Sequence, residues 1–563
     1  MPYQAPADQI RFILHNVVDL PRVAGTELFA EADADTVDAI LTEAGKVATD
    51  VLAPLNRNGD LTPARLENGV LRSSPGFDKG FAAIAEGGWI GLTADPEYGG
   101  GGLPQAVNMA VAEMFAGANL SLQLNPLLTQ GQIEALEHHA EDWIKELYIP
   151  KLVSGEWNGT MNLTEPGAGS DVGALVTKAE RADDGTFRIT GQKIFITWGD
   201  SDVNSNTCHL VLARLPEGGP GVKGISLFMV PKYLPDADGN PGERNAVRTV
   251  SLEHKLGIHG SPTCVLSFEG AKGWLIGQEH KGMAAMFTMM NNARLAVGMQ
   301  GVGVAEAALQ KAAEYATDRQ QFGPIIRHPD VRRMLAEGRA EVFAARAIGL
   351  ACAVALDMAK ATGNAEWVAR GALLTPIAKA YGTDVGIRVA DMGVQVHGGM
   401  GFIEETGAAQ HLRDVRITAI YEGTNGIQSM DLVGRKMMDG GDAALRLIDE
   451  VMEGAKAAQA TQPELAGAVW NAGEAMRDGI ARLLDQGNAD RFAGAVPFLN
   501  SFACLLGASA HLRAALAGTD AQVTLARIYI TRILPRLEAE LAAAAAGVAD
   551  LEALPDSTFT TGA

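Results

Sequence analysis

Cysteine is scarce in this chain, with only four among 563 residues. They are Cys208, Cys264, Cys352 and Cys504, and no two of them form a CxxC pair. This spacing argues against a zinc site and against a disulfide framework, and it fits a reducing compartment. We therefore expect the four thiols to be buried as small apolar side chains.

An excess of basic charge is also lacking. Lys and Arg number 46 against 67 Asp and Glu, which leaves a formal net charge of −21. A surface of this sign repels polyanions, so we expect no nucleic acid partner. A small anionic ligand needs only a local pocket, and the composition leaves that class of ligand open.

Long apolar runs are missing as well, since none approaches the roughly 20 residues that span a bilayer. The first segment, MPYQAPADQIRFILHNVVDL, contains an early Asp and lacks a basic start followed by a long apolar core. It therefore does not resemble a secretory signal. We expect a cytoplasmic protein without a membrane-spanning segment.

The chain does contain clear changes of pattern along its length. Helical periodicity predicts a helical domain over 1–158, and short β-branched runs separated by Gly, Asp, Asn and Pro predict a mostly antiparallel β domain over 159–283. Helical patterns rich in small residues return over 284–440 as a bundle, and an alanine-rich helical extension covers 441–563. The predicted fold class is α+β.

One carboxylate stands in an unusual place, in the stretch IYEGTNG at 420–426. Glu422 follows an apolar run and precedes a turn, and burying an ionised Glu is costly unless it is paired or its pKa rises. A second stretch, MNLTEPGAGSD at 161–171, has glycines that would let a ligand approach the backbone. Taken alone it is more simply a turn, and it has neither the Rossmann nor the P-loop spacing.

Five motifs are specific when taken together: MNLTEPGAGSD, GQKIFITWG at 191–199, DRQQFG at 318–323, QVHGGMGF at 395–402 and YEGT at 421–424. In this order and spacing they resemble the flavin-dependent acyl-CoA dehydrogenase family, over roughly residues 30–440. The resemblance implies an N-terminal helical domain, a middle β domain and a C-terminal four-helix bundle, with FAD as cofactor and an acyl-CoA as substrate. Such enzymes remove a proton from the carbon next to the thioester and a hydride from the following carbon, leaving a trans-2-enoyl-CoA.

Within this family, the long helical extension makes the chain resemble the bacterial 3-methylmercaptopropionyl-CoA dehydrogenases. That resemblance implies a short acyl chain that carries a thioether. The resemblance to the family as a whole implies electron-transferring flavoprotein as the acceptor. It also implies a homodimer in which the extension covers the surface that ordinary relatives use to form tetramers. A medium- or long-chain acyl-CoA is the alternative substrate.

The resemblance assigns the catalytic base to Glu422, whose backbone N–H would also bind the thioester oxygen together with a flavin ribityl hydroxyl. Some relatives carry the base at the position of Ala293, where this chain has no carboxylate. Asn291 stands where many relatives have Asp. The implied substrate contacts are Ser170, Asn291, Arg294, Tyr421 and Gly423.

The implied cofactor contacts fall into two groups. Around the flavin and its chain they are Met161, Leu163, Thr164, Ser170, Phe195, Ile196, Thr197 and Thr424. The Thr197 hydroxyl is implied to lie near the flavin N5, and Phe195 replaces the Trp of most relatives as an apolar wall. The second group matches residues that hold the FAD of the neighbouring subunit, and an Arg fork suits pyrophosphate. These are Arg319, Gln321, Phe322, Gln395, Gly398 and Gly399.

Other functions stay open at this point. An acyl-CoA oxidase shares most of the motifs and would form peroxide, and an inactive relative would only hold FAD. A nucleic-acid-associated relative would need a basic groove, whereas the extension has nine Lys and Arg against fifteen Asp and Glu. His397 has no second His or carboxylate at ligand spacing, so we expect a packing or hydrogen-bonding role and no metal site.

Overall fold

The computed structural model describes residues 3–561, and its first part is helical apart from one short hairpin. The elements are α1 (Ala7–Asn16), α2 (Leu20–Ala24), α3 (Ala34–Lys46), α4 (Ala53–Leu61), β1 (Arg65–Glu67), β2 (Val70–Arg72), α5 (Phe77–Glu86), α6 (Gln105–His139) and α7 (Asp142–Val153). Helix α6 is buried almost all round, as a core helix requires. It bends at Asn119, whose side chain accepts a hydrogen bond from the Leu122 N–H (3.1 Å) and caps the second half.

The middle region forms a seven-stranded sheet that closes on itself. The region as a whole contains β3 (Trp157–Asn162), β4 (Lys178–Arg181), β5 (Phe187–Thr197), β6 (Asn206–Arg214), β7 (Ile225–Pro231), β8 (Tyr233–Pro235), β9 (Pro241–Arg244), β10 (Val247–Leu252) and β11 (Thr263–Ile276). Strand β7 pairs with both β11 and β6, which completes a ring through β5 and β4, while β8 and β9 pair separately. Only the pairings of β6 with β3 and β4 are parallel, so the prediction of a mostly antiparallel domain is confirmed.

A helical bundle follows the sheet. Its helices are α8 (Gly282–Asp318), α9 (Pro329–Thr362), α10 (Ala365–His397), α11 (Ala408–Val415) and α12 (Asn425–Asp431). Helices α8 and α10 approach so closely that a Cβ on Gly301 would lie 2.4 Å from the Gly382 carbonyl oxygen. Glycine at these positions therefore allows the two long helices to pack backbone against backbone.

A buried charge cluster ties the bundle to the N-terminal helices. Arg346 of α9 is fully buried, and its guanidinium contacts Glu113 of α6 and Glu306 of α8. Arg339 adds a second cation at 2.7 Å from Glu306. Because buried charges need partners, this cluster fixes the relative positions of α6, α8 and α9.

The extension packs against the bundle. Its helices are α13 (Asp442–Ala458), α14 (Pro463–Asp485), α15 (Asn488–Ala493), α16 (Ala495–Ala517), α17 (Asp520–Arg532), α18 (Arg536–Ala544), α19 (Ala549–Ala553) and α20 (Ser557–Thr561). Helix α16 packs on α9 and on α12, and the Tyr529 and Tyr381 hydroxyls are 3.1 Å apart. The helix that follows Glu422 is therefore supported from outside by the extension.

Within residues 3–561, two helices, α9 and α16, are long and apolar enough to cross a membrane by length and composition. Neither helix is an unbroken apolar run, because α9 contains Arg346 and Asp357 and α16 contains Asn500 and His511. Their most apolar windows are 83% and 72% buried inside the protein, which is typical of core helices. The four cysteines are buried as predicted.

Candidate active site

Glu422 lies in a tight turn just before α12. Its φ is 56° and that of Gly423 is 83°, both in the left-handed region. The Gln428 side chain donates hydrogen bonds to the carbonyl oxygens of Glu422 (3.1 Å) and Gly423 (3.3 Å). Left-handed backbone at a non-glycine residue costs free energy, so these contacts hold Glu422 in a conformation that it would not adopt freely.

A buried lysine of α10 secures the same turn. Lys379 donates to the Gly423 carbonyl oxygen and to Asn425 Oδ1, both at 2.9 Å. Asn425 in turn donates to Asp384 (2.7 Å) and to Thr383 (2.9 Å). The turn that carries Glu422 is thus fixed to α10 by a continuous polar network.

Burial raises the pKa of Glu422 to about 7, while Arg294 and Lys379 act in the opposite direction. Its Oε2 atom is buried and has no hydrogen-bond partner within residues 3–561. An unpaired buried carboxylate oxygen is costly and rare in folded proteins. A carboxyl group that titrates near neutral pH and lacks a partner is suited to accept a proton from a ligand.

Arg294 lies on α8 and is only 7% exposed. Its Nε is buried without a partner in the described chain, and a terminal nitrogen is 3.4 Å from Asn291 Oδ1. Arg294 and Asn291 line a cavity of about 530 Å³ between α6, α8 and the ends of α9 and α10. Lys360 and Lys436 also line it, and so do the carboxylates of Glu134, Glu137, Asp357 and Asp431, so the lining carries both signs of charge.

The first predicted flavin segment covers the end of β3 and the loop after it. Met161, Leu163 and Thr164 are half-buried, and Ser170 lies exposed on the loop beyond them. The loop is anchored by Glu165, which is 2.7 Å from the buried Lys193 of β5 and accepts a hydrogen bond from the Val176 N–H (2.7 Å).

Strand β5 carries the second predicted flavin segment. Phe195 is 58% exposed with φ 61°, and Thr197 is half-buried. Ile196 points the other way and is 2% exposed in the core of the closed sheet, where its register partner is Cys264. Only its backbone is therefore available to a ligand, whereas Phe195 offers an aromatic wall.

The two motifs predicted to reach a neighbouring FAD lie at one end of the bundle. Tyr315 of α8 stacks on His397 of α10 with ring centroids 4.4 Å apart, which brings the C-terminal ends of both helices together. The predicted residues there are exposed, and a Cβ added to either glycine would meet nothing within 4 Å. These are Arg319, Gln321, Phe322, Gln395, Gly398 and Gly399.

His397 has the packing role that the sequence predicts. Besides stacking on Tyr315 it is 2.7 Å from the Gly393 carbonyl oxygen through Nδ1. Thr424, predicted as a cofactor contact, caps α12 by accepting the Ile427 N–H (3.3 Å). Tyr421 directs its hydroxyl to Gln300 of α8.

Family models for the N-terminal, middle and C-terminal domains of acyl-CoA dehydrogenases match residues 38–156, 160–271 and 280–438. The chain belongs to the acyl-CoA dehydrogenase family. It is 43% identical over 523 residues to the 3-methylmercaptopropionyl-CoA dehydrogenase of Ruegeria pomeroyi, which covers 89% of this chain and 88% of that protein. Acyl-CoA dehydrogenase activity and an acyl-CoA substrate follow from this relationship.

Two solved structures share the fold. ACDH-11 of Caenorhabditis elegans in complex with C11-CoA has a TM-score of 0.84 at 21% identity, covering 99% of this chain and 95% of that one. An acyl-CoA dehydrogenase of Bacillus anthracis complexed with FAD has a TM-score of 0.74 at 24% identity, with coverages of 92% and 89%. Both matches include most of the chain, so the C-terminal helical extension belongs to the shared fold.

The acyl-CoA dehydrogenase family is FAD-dependent. The residues present fit a flavin, because an exposed Phe195 ring and half-buried Met161 and Thr197 offer apolar and hydroxyl contacts in one domain. Added Cβ atoms on Gly167 and Gly169 would meet nothing within 4 Å, which leaves the loop backbone open to a ligand. The orphaned Glu422 oxygen belongs to the helical bundle, in the turn before α12.

Sequence reasoning missed the residues that hold this machinery in place. Lys379, Asn425 and Gln428 fix the turn at Glu422, while Lys193 and Glu165 fix the flavin loop. Glu165, Lys193 and Asn425 stand inside or beside the quoted motifs. For Lys379 the signal was weaker, since it is a lone cation in the nearly all-apolar run ALLTPIAKAYG.

Proposed function

We propose that this acyl-CoA dehydrogenase converts 3-methylmercaptopropionyl-CoA to methylthioacryloyl-CoA, with Glu422 as the base that removes the α-proton. The observation that carries this proposal is the half-buried Glu422, whose Oε2 atom is buried and unpaired and whose pKa is raised to about 7 by desolvation. A base of that pKa is matched to neutral pH, where both protonation states are available.

The chain's own residues would act in a defined order. Arg294 and its neighbours on α8 bind the CoA portion and place the thioester at the turn. The Glu422 carboxylate accepts the α-proton, and its backbone N–H binds the thioester oxygen, where negative charge develops. Bound FAD supplies the acceptor for the hydride that leaves the β-carbon. Phe195 and the half-buried side chains around it exclude water.

The Ruegeria pomeroyi relative supports the choice of a thioether substrate. A thioether is close in shape to a methylene, and an apolar pocket discriminates one such group by only about 1–3 kcal/mol. Butanoyl-CoA and pentanoyl-CoA are therefore expected to be substrates too. Their kcat/KM values should lie within roughly a hundredfold of the value for the thioether substrate.

The proposal extends to assembly and partners. Exposed Phe322 (104%) and Phe402 (87%) lie on adjoining motifs at one end of the bundle, and large exposed apolar side chains mark interaction surfaces. A homodimer that completes the FAD site with these motifs accounts for them. Electron-transferring flavoprotein is the proposed acceptor, and the cytoplasm the proposed location, with neither a membrane nor a nucleic acid as partner.

The test is anaerobic reduction of the bound flavin by a panel of acyl-CoAs. The loss of flavin absorbance measures the reduction. The thioether substrate, butanoyl-CoA and pentanoyl-CoA should bleach the flavin, and palmitoyl-CoA should do so poorly. A clear preference for palmitoyl-CoA would refute the substrate, and rapid peroxide formation in air would indicate an oxidase instead.

A further inference from the structure

One amide joins two opposite charges behind the Glu422 turn. Asn425 Oδ1 accepts a hydrogen bond from Lys379 Nζ at 2.9 Å, and Asn425 Nδ2 donates to Asp384 Oδ1 at 2.7 Å. An ammonium group can only donate and an ionised carboxylate can only accept, so the two partners determine which way the amide points. Asn425, the first residue of α12, is therefore held in one orientation between a cation and an anion of α10.

The cation of this bridge is shut off from water. Lys379 is 0% exposed, and its ammonium group donates to Asn425 and to the Gly423 carbonyl oxygen, each at 2.9 Å. The buried Thr383 hydroxyl completes the bridge, because it accepts from Asn425 Nδ2 and donates to the Lys379 carbonyl oxygen, both at 2.9 Å. A buried ammonium group depends on such acceptors. A residue that holds Asn425 in place therefore also holds Lys379 against the turn.

The charges around Lys379 connect Asp384 to the base. Burial lowers the pKa of Lys379 to about 8 and Arg294 acts in the same direction, whereas Glu422 and Asp384 raise it. Lys379 and Arg294 are the cations that lower the pKa of Glu422. Without Asp384 the lysine would lose its proton more readily, and a neutral lysine no longer lowers the pKa of Glu422. The effect of Asp384 on the base is thus expected to pass through Lys379.

Asp384 is itself half-buried among cations. Burial raises its pKa, and Arg388, the hydrogen bond from Asn425, Lys379 and Arg416 act in the opposite direction. These cations favour an ionised Asp384, which is the form that accepts the hydrogen bond from Asn425. The carboxylate therefore forms the anionic end of the bridge.

We propose that Asp384 is a positioning residue for the catalytic base: it orients the Asn425 amide and, through this amide, keeps the charged Lys379 against the Gly423 carbonyl oxygen. The inference rests on the proposed function, since it takes Glu422 to be the base. Glu422 has a φ of 56°, and a non-glycine residue stays in this region only when its surroundings hold it there. Asp384 thus contributes to the rate of proton removal without touching the substrate.

The experiment measures anaerobic flavin reduction by butanoyl-CoA as a function of pH in the FAD-loaded protein. Asp384→Asn keeps the side-chain size and an acceptor oxygen but removes the charge. The double variant Lys379→Met/Asp384→Asn, compared with Lys379→Met alone, shows whether the effect passes through the lysine. Asp391→Asn is the matched control, because Asp391 is an exposed carboxylate of the same helix.

Asp384→Asn should slow flavin reduction at neutral pH by about tenfold, as a slight misplacement of a catalytic group does, and leave the Kd of butanoyl-CoA unchanged. The rise of the rate with pH should move to higher pH, because Lys379 loses its proton more readily. Direct removal of an anion beside a carboxyl group would move the rise to lower pH, so the sign of the shift identifies the route. Adding Asp384→Asn to Lys379→Met should cause no further shift, and Asp391→Asn should behave as the parent.

An unchanged pH dependence, or a shift to lower pH, in FAD-loaded Asp384→Asn protein would overturn the proposal. A shift in the double variant beyond that of Lys379→Met would do the same. If Asp384→Asn does not retain FAD, Asn425→Ala decides, because it keeps both charges and removes the amide between them. That variant must then show the shift to higher pH, and its absence would also overturn the proposal.

Failure of the proposed function is distinguishable from failure of this inference. Acyl-CoA would then leave the flavin of the parent enzyme oxidised, or would reduce the flavin of Glu422→Gln at the parent rate.

Discussion

Lys379 Nζ lies 2.9 Å from the carbonyl oxygen of Gly423, the residue that follows the proposed base Glu422 in sequence. This contact joins two parts of the chain that are 44 residues apart. Burial lowers the pKa of Lys379 to about 8, against the attraction of Glu422 and Asp384, so the side chain is largely charged at neutral pH. The lysine therefore both holds the Glu422 turn and lowers the pKa of the carboxyl group.

Replacement of the base gives the first prediction. Glu422→Gln keeps the shape of the side chain but cannot accept a proton, so flavin reduction by acyl-CoA should fall by at least about a thousandfold. FAD content and acyl-CoA binding should stay near those of the parent, as measured by absorbance and by titration. Glu538→Gln, at an exposed glutamate of α18 in the extension, serves as the control and should reduce its flavin normally. Near-parent reduction by Glu422→Gln would show that the base lies elsewhere.

Removal of the lysine gives a pH prediction. Because Glu422 must be ionised to act, the rate of flavin reduction should rise with pH through its pKa near 7. Lys379→Met removes a cation that lowers this pKa. The rise of the flavin-reduction rate with pH should therefore occur at a pH higher by roughly one unit. Stopped-flow reduction between pH 5.5 and about 9 measures the shift within the stable range of most proteins. Lys311 is another partly buried lysine, distant from Glu422 in sequence. Lys311→Met should leave the pH dependence of the flavin-reduction rate unchanged.

The buried charge cluster gives a stability prediction. Burial alone would raise the pKa of Glu306, but Arg339 and Arg346 lower it to about 2. Arg346→Met leaves Glu113 and Glu306 short of a partner, which should cost about 3–5 kcal/mol of unfolding free energy at pH 7. Urea unfolding of the purified protein measures the loss, and Arg333→Met, which breaks an exposed pairing with Asp330, should shift the midpoint little.

The same cluster has a defined pH dependence. The folded pKa of Glu306 lies below its ordinary value of 4.5, so its contribution to stability is complete above that pH and is lost as the pH falls toward 2. The difference in stability between the parent and Arg346→Met should therefore shrink on acidification. A difference that grows between pH 5 and about 3 would contradict this account.

Assembly gives the last prediction. Light scattering of the FAD-loaded protein should give the mass of a dimer, because the motifs around Arg319 and Gly398 are proposed to complete the partner's FAD site. Arg319→Ala should weaken FAD retention without unfolding the chain, since the side chain is exposed. An FAD-loaded monomer would refute the shared site, and a tetramer would refute the proposed role of the extension.

The sequence by itself determined the family, the order of helical and β regions and the identity of the candidate base. The five motifs are short and local, so their spacing is visible without coordinates. The orientation of Phe195 and Ile196 could not be predicted from the sequence. Both belong to GQKIFITWG, yet the direction of each side chain depends on a register shift against β11 between Lys193 and Ile196, where Phe195 has a φ of 61°. This bulge breaks the alternation of the strand, so that Phe195 faces outward and Ile196 faces the core.

Only the tertiary structure decided how the site is held. Gln123 and Gln300 are 177 residues apart, and Glu113 and Arg346 are 233 apart, so no local pattern reveals their pairing. The pKa of Glu422 likewise depends on burial by distant helices and on the cations Arg294 and Lys379. A sequence motif shows that a carboxylate is present, but desolvation and charge pairing arise only when separate segments pack together.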